Sequence, residues 1–284
     1  MPILHAIEHG LRLPVFPSWN TRWHFEDKIA QTEMFRALDI PHPETWVFYD
    51  EASALAFARS TDYPKVLKLT SGVQSRNVML LRDQQHAESV LKAVFRRGLH
   101  RLPRQTDKPH HEALRRLRRS LSALKGINPD LPDRRDYFHY GYALIQEFIP
   151  ENTHDTRVAV IRDRAFAFRR RVRENDFRAS GSGLIDWASD SIDPRMLSIA
   201  FELSEALDSQ TIALDFVVDT DHTPLVIELT VTYASWALNE APAYWKKDVN
   251  APGDQHLKRI DQSPVSVETM LVDDYIDGIE TAPL

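Results

Sequence analysis

The hydrophobic positions of this 284-residue chain change period as one reads along it. From Glu26 to Leu38 the apolar residues Ile29, Met34, Phe35 and Leu38 fall at helical spacing. Prolines at 41 and 43 stop that helix. TWVFY (45–49) then reads as a strand, Glu51 to Arg59 as a helix and YPKVLKLT (63–70) as a second strand. SGVQSRN follows as a loop, VMLL (78–81) as a strand and Gln84 to Phe95 as a helix. YALIQEFIP (142–150) returns to strand. TRVAVI and AFAFRRRV pair as a hairpin across Arg162 to Arg164, and Pro194 to Leu207 is an amphipathic helix. Ahead of all these, residues 1–20 hold a short helical piece ending at Gly10, then the extended run LPVFP. Residues 96–137 break the rhythm: they are basic and proline-punctuated, with one helix in HEALRRLRRSLSAL, and read as an insertion or flap. Helices mixed with mostly antiparallel strand pairs place the chain in the α+β class.

The segment IALDFVVDTDHTPLVIELT (212–230) adds chemistry to that pattern. Two apolar runs each carry one acid, Asp215 and Glu228. With DTDHTP (219–224) as the turn, symmetric pairing sets residue 218 opposite 225 and Asp215 opposite Glu228. Directly opposed residues share a face, with Cβ atoms roughly 4.5–5.5 Å apart. Thr230, two residues on from Glu228, shares it too. Two partly buried like charges at that range cost on the order of several kcal/mol unless something compensates. One acid stays protonated, or cationic side chains sit between them, or a metal ion does. A surface acid paired with an arginine is the plain alternative, but the apolar flanks argue against solvent exposure. Carboxylate oxygens suit a hard cation such as Mg2+, with Mn2+ as the alternative. Magnesium keeps waters and shares substrate phosphates, so the pair points to a nucleotide.

Composition narrows the classes. Hydrophobic residues make up 43% of the chain, enough for a sizeable core. The chain has no cysteine, which excludes disulfides, thiolate catalysis and thiolate-bound zinc, and fits a reducing compartment. MPILHAIEHG lacks the apolar core of a signal peptide, and no run approaches the roughly 18 apolar residues of a membrane span. A soluble, cytoplasmic protein is expected. Net charge is −6, yet ten residues between Lys92 and Arg119 are Lys or Arg. That stretch suits an acidic partner or polymer, or simply a solvated helix. Nucleic acid is disfavoured by the acidic balance and by Phe95 being the sole aromatic there.

Other residues bear on a nucleotide site. Lys68 lies in the otherwise apolar V-L-K-L and needs an anion if buried. Lys28 sits near a helix start. The turn from Ser71 to Val78 can cradle phosphate with backbone amides, although Gly72 is its single glycine. Gln146 and Glu147 end a strand and can offer backbone groups to a base. In RRRVRENDFRASGSG (169–183) arginines crowd around Asp176 and Phe177, and their forked donors suit carboxylate and phosphate.

The order of these pieces resembles the ATP-grasp family of carboxylate–amine ligases, from about Lys28 to about Trp245. The motifs are DK at 27–28 with IPHP, YPKVLKL with its loop, QEFIP with D-T-R at 155–157, NDFRASGSG, and ALDF followed by VIELT. NDFRASG is similar to the ribosomal-protein glutamate ligase-like branch. FPSWNTRWHFEDKIAQ and APAYWKKD look like ATP-grasp proteins of bacterial surface-polysaccharide loci. The resemblance implies an ATP-grasp fold, with two α+β subdomains gripping ATP between them and the N-terminal α/β domain largely missing. It implies residues 1–26 as a remnant of a pre-ATP-grasp element and 27–284 as the ATP-grasp domain. Within that domain, about 45–95 and 142–150 would form the small lobe, 96–141 the basic insertion, 151–250 the catalytic lobe and 251–284 a C-terminal tail.

Carried over residue by residue, Lys28, Lys68 and Ser75 would contact the ATP phosphates. Gln146, Glu147, Phe148 and Ile149 would line the adenine pocket, and Asp155 or Glu151 would meet the ribose. Asp215, Glu228 and Thr230 would hold magnesium. Arg157, Arg171 and Arg178 would contact phosphate or acyl phosphate. The sequence departs from the pattern at Thr230, where the family has Asn, and in the reduced glycine loop Ser71–Ser75. The activity implied is ligation of a small-molecule or polymer-linked carboxylate to an amine through an acyl phosphate. The rivals are an ATP-binding sensor or assembly partner without turnover, and an ATP-grasp kinase. With that domain largely missing, either the chain starts late, or the basic insertion, a second copy of the chain or a partner subunit would complete the site.

Overall fold

The computed structural model describes residues 2–71, 77–100, 102, 138–174, 176–247, 257–261 and 266–280. The chain divides into two compact units, one of Met1–Pro43 with Ile149–Leu284 and the other of Glu44–Phe148.

In the Glu44–Phe148 unit, strands β1 (Thr45–Phe48), β2 (Lys65–Lys68), β3 (Val78–Leu81) and β4 (Ala143–Glu147) form an antiparallel sheet in the order β1-β4-β2-β3. Helices Glu51–Ser60 and Gln84–Arg96 cover one face. Ala54, Leu55, Leu91 and Val94 of these helices meet Leu67, Met79, Leu81 and Ile145 of the strands. Both helices start where the sequence put them, because an aspartate caps each. The Asp50 carboxylate accepts the Ser53 N–H, and that of Asp83 accepts the His86 N–H.

The other unit is built on a seven-stranded sheet. It contains β5 (His154–Ile161), β6 (Arg164–Arg171), β7 (Ile185–Asp186), β8 (Thr211–Val218), β9 (Pro224–Thr230), β10 (Ala243–Lys247) and β11 (Leu257–Asp261). The main order is β11-β10-β6-β5-β8-β9, with β7 on β6. The expected β5–β6 hairpin turns through Arg162, whose φ of 53° matches the twist of a tight turn. One sheet face packs on helices α1 (Lys28–Ala37, the first in our numbering) and α2 (Pro194–Ala206) through Phe35, Met196, Phe201, Val158, Val160 and Leu214. The other packs Ala159, Phe166 and Ala213 against α3 (Ser235–Asn239) and α4 (Val267–Glu280). Apolar cover on both faces explains the nearly continuous apolar runs of these strands.

One pairing expectation changes. Val218 pairs with Pro224 rather than with residue 225, because a bulge beyond Asp215 leaves Ile227 as the extra residue. The bulge restores the Asp215–Glu228 pairing. The stretch expected as a C-terminal tail supplies β11 and α4, and Val267 is fully buried. Residues 1–26 group with the seven-stranded sheet: Gln210 accepts from the Ser18 N–H at 2.7 Å and donates its own N–H to Thr21 at 2.9 Å. The basic helix expected within 96–137 falls outside the described residues. Among the described residues no helix is long and apolar enough to cross a membrane.

Candidate functional site

Strand alternation gathers the ionic residues of the larger unit on one face. Asp155 pairs with Arg170, Arg157 with Asp215, and Asp215 with Glu228, so all five share a side of the sheet. Thr230 pairs with Ala213 on the same side. Arg157 holds Asp215 in a bidentate grip, Nε to Oδ1 at 2.7 Å and Nη2 to Oδ2 at 2.8 Å. Arg170 lies 2.7 Å from Asp215 Oδ2 and grips Asp155 at 2.7 and 2.6 Å. Two acids and two arginines thus form one chain, Asp155–Arg170–Asp215–Arg157.

Burial and charge separate the two acids. Burial pushes Asp155 up; Arg170 opposes this, the Asp215 charge adds to it, and the carboxyl stands at about 6. Burial also acts on Asp215, but Arg157 and Arg170 outweigh it and hold that carboxyl at about 2. Asp215 is therefore the firmly ionised acid of the face. Of the three ways to compensate opposed acids, the structure displays the cationic one.

Glu228 has its own cation. The Gln31 side chain docks α1 on the edge strand β9, donating to the Leu229 carbonyl at 2.8 Å and accepting the Leu229 N–H at 3.3 Å. Asp27 caps the same helix through the Ile29 and Ala30 N–H groups. The helix start so fixed puts Lys28 Nζ 3.2 Å from Glu228 Oε1. The Glu228 side chain keeps 26% exposure against 2% for Asp215, so it is the open end of the pair. Thr230 donates its hydroxyl to the Thr232 carbonyl at 2.9 Å and accepts the Thr232 N–H at 3.2 Å, which leaves one oxygen lone pair for a further contact.

The remaining candidate residues are spread over both units. Asp155, one of two candidates for ribose, is buried against Arg170, whereas Glu151 is exposed. Glu151 lines a cavity of about 270 Å³ with Asn152, His154, Phe216 and His222. Arg171 alternates to the opposite face from Arg170 and lies 3.9 Å from Asp186. Arg178 closes on its own neighbour Asp176, at 2.8 Å. In the smaller unit, Lys68 pairs with Leu144 and shares a face with Gln146, away from the two helices. Glu147 is on the helix-covered face, where its carboxylate meets buried Lys65 at 2.8 Å. Ser75 lies outside the described residues.

Two participants escaped the sequence reading. Arg170 was legible in principle, since a hairpin pairing Ile161 with Arg164 also pairs Asp155 with Arg170. Lys65 required the β2–β4 register, which no local signal gives.

The donors present fit a hard cation. Two opposed carboxylates and a hydroxyl offer only oxygen, and Glu228 is accessible. Among the described residues no group of three or more His, Cys, Asp or Glu gathers as a cage. An ion here would complete its shell with water and substrate oxygens, the habit of magnesium.

Residues 137–251 match the family model of a RimK-like ATP-grasp domain. A RimK domain ATP-grasp protein from Sphaerobacter thermophilus is 20% identical over 78% of this chain and 64% of its own length, with a TM-score of 0.45. The D-alanine–D-alanine ligase of Bacillus anthracis, solved with ATP, is 15% identical over 97% of this chain and 72% of its own, with a TM-score of 0.50. The carboxyaminoimidazole ribonucleotide synthase of Aspergillus clavatus, also solved with ATP, is 14% identical over 80% and 50%, at a TM-score of 0.50. At these identities the likeness is one of fold. No curated protein matches the sequence.

Proposed function

This chain carries a RimK-like ATP-grasp domain in an ATP-grasp fold, and from that premise we propose that it is an ATP-dependent ligase joining a carboxylate to an amine. The observation that carries the proposal is the direct pairing of Asp215 with Glu228 on one sheet face, with Arg157, Arg170 and Lys28 in contact with them.

In this reading Asp215, Glu228 and Thr230 would hold magnesium, which when bound neutralises charge on phosphate oxygens. Lys28 and Lys68 meet the phosphates, the backbone at 146–149 meets the base, and Glu151 meets the ribose. A substrate carboxylate oxygen attacks the γ-phosphorus of ATP, ADP leaves, and an acyl phosphate forms. The amine then attacks the acyl carbon, gives up a proton and expels inorganic phosphate. Positioning and charge neutralisation supply the catalysis, and no protein nucleophile is needed. Arg157 has the best placement to meet developing phosphate charge, because its partner Asp215 is the residue an arriving cation would engage. Dependence on ATP supports a cytoplasmic setting. The acid is a small molecule or a polymer-linked group, and polysaccharide biosynthesis is the setting the sequence resemblance favours.

One observation favours a second reading. Asp215 already has its charge matched by two arginines, which suits an ATP-binding sensor or assembly partner that does not turn over. ADP release across a panel of carboxylates and amines separates the readings. A ligase releases ADP only with both substrates, an ATP-grasp kinase with the phosphoryl acceptor alone, and a binder with neither.

A further inference from the structure

A second polar cluster lies in the Glu44–Phe148 unit, centred on His139, which is 2% exposed. Its Nδ1 stands 2.6 Å from the Tyr142 hydroxyl and its Nε2 3.2 Å from the Ser71 hydroxyl. The Tyr142 hydroxyl accepts the Thr70 N–H at 2.9 Å and lies 3.0 Å from Thr70 Oγ1. Thr70 and Ser71 directly extend β2, two and three residues beyond Lys68.

Asn77, further along the chain, is tied as firmly. Asn77 takes a left-handed φ of 64°, which asparagine tolerates well. Its Nδ2 donates to the Ser71 carbonyl at 2.8 Å, and its own carbonyl accepts the Leu69 N–H at 2.9 Å. Its Oδ1 accepts the Leu102 N–H at 3.0 Å. Leu99 and His139 exchange two backbone hydrogen bonds of 2.8 Å. The chain on either side of residues 72–76 and on either side of residues 103–137 therefore belongs to one hydrogen-bonded frame. Satisfied buried polar networks of this kind rigidify what they join.

We propose that this frame positions the phosphate-contacting end of β2, with His139 as the positioning residue acting through Thr70 and Ser71 on the strand that carries Lys68. The proposal rests on the nucleotide reading above. His139 touches no phosphate; it fixes the backbone that presents the lysine. The grip on the phosphate tail then depends on residues at the flanks of 103–137, remote from Lys68 in sequence. Gly98 offers a way to disturb the frame from that side. Its φ is 67°, and an added Cβ would stand 2.3 Å from the Phe138 ring, next to His139.

Calorimetric titration with magnesium-ATP and with AMP tests this, alongside a melting curve for each variant. His139→Ala is expected to weaken ATP binding about tenfold while AMP affinity stays unchanged. Gly98→Ala is expected to act in the same direction. His139→Gln, whose amide reaches the position of Nε2 and keeps the Ser71 bond, should recover part of the loss. Equal losses for ATP and AMP, or unchanged ATP affinity in both His139→Ala and Gly98→Ala, would overturn the proposal. Wild-type protein that binds neither nucleotide would instead overturn the nucleotide reading itself.

Discussion

The two sheets treat buried charge differently. On the seven-stranded sheet, Asp155, Arg170, Asp215 and Arg157 compensate one another almost wholly out of water, with side-chain exposures of 2–14%. On the four-stranded sheet, Lys65 is as buried, at 2%, but leans on Glu147 and Asp62, which are 34% and 93% exposed. Its remaining support is the Trp46 ring, 5.9 Å away. The first arrangement cannot lose a member without stranding a charge, whereas the second can fall back on solvent. A charged residue in an apolar strand therefore has no fixed meaning; the face it occupies and the burial of its partners decide it.

The largest expected effect follows from that difference. Arg170→Met leaves Asp155 and Asp215 sharing Arg157 alone, and should cost roughly 3–5 kcal/mol in urea unfolding. A loss under about 1 kcal/mol would break the distinction between the sheets. Next comes a buried polar group with no compensation at all. Neither ring nitrogen of His24 has a hydrogen-bond partner among the described residues, and burial lowers its pKa to about 4. A base whose folded pKa is depressed contributes stability that is complete above its unfolded value of 6.5. That stability drains as pH falls toward 4. Stability at pH 5 should thus be roughly 2 kcal/mol lower than at pH 7 from this residue, and His24→Leu should remove that slope. Lys65→Met should cost less than Arg170→Met, about 1–2 kcal/mol, because Glu147 and Asp62 can turn to water. The smallest effect is the loss of a helix cap. Asp83→Ala, read by the same urea titration, should cost about 1 kcal/mol.

What the sequence made legible divides along the same physical line. Helix starts at Glu51, Gln84 and Pro194 were readable from apolar periodicity, and Asp50, Asp83 and Asp193 cap them. Asp215 and Glu228 were readable because an acid inside I-A-L-D-F-V-V cannot pass for surface. The near end of their hairpin was not, because a bulge at Ile227 leaves no local signature. Among Arg169, Arg170 and Arg171, composition cannot say which points inward; only the β5–β6 register does. The Arg178–Asp176 pair joins residues two apart within one loop, and composition alone does not show that they close on each other. The β11 strand and α4 carry no strong local signal, because pairing with β10 and packing against α3 are long-range events.

Glu228→Gln gives the activity arm of the comparison: ADP release should fall at least about a hundredfold with the fold intact. The most direct measurement is a crystal structure with magnesium and a non-hydrolysable ATP analogue. The account predicts one cation shared by Asp215, Glu228 and the phosphate tail, with Arg157 turned from Asp215 toward phosphate. A bound nucleotide with no cation at either acid, and Arg157 still locked on Asp215, would contradict it.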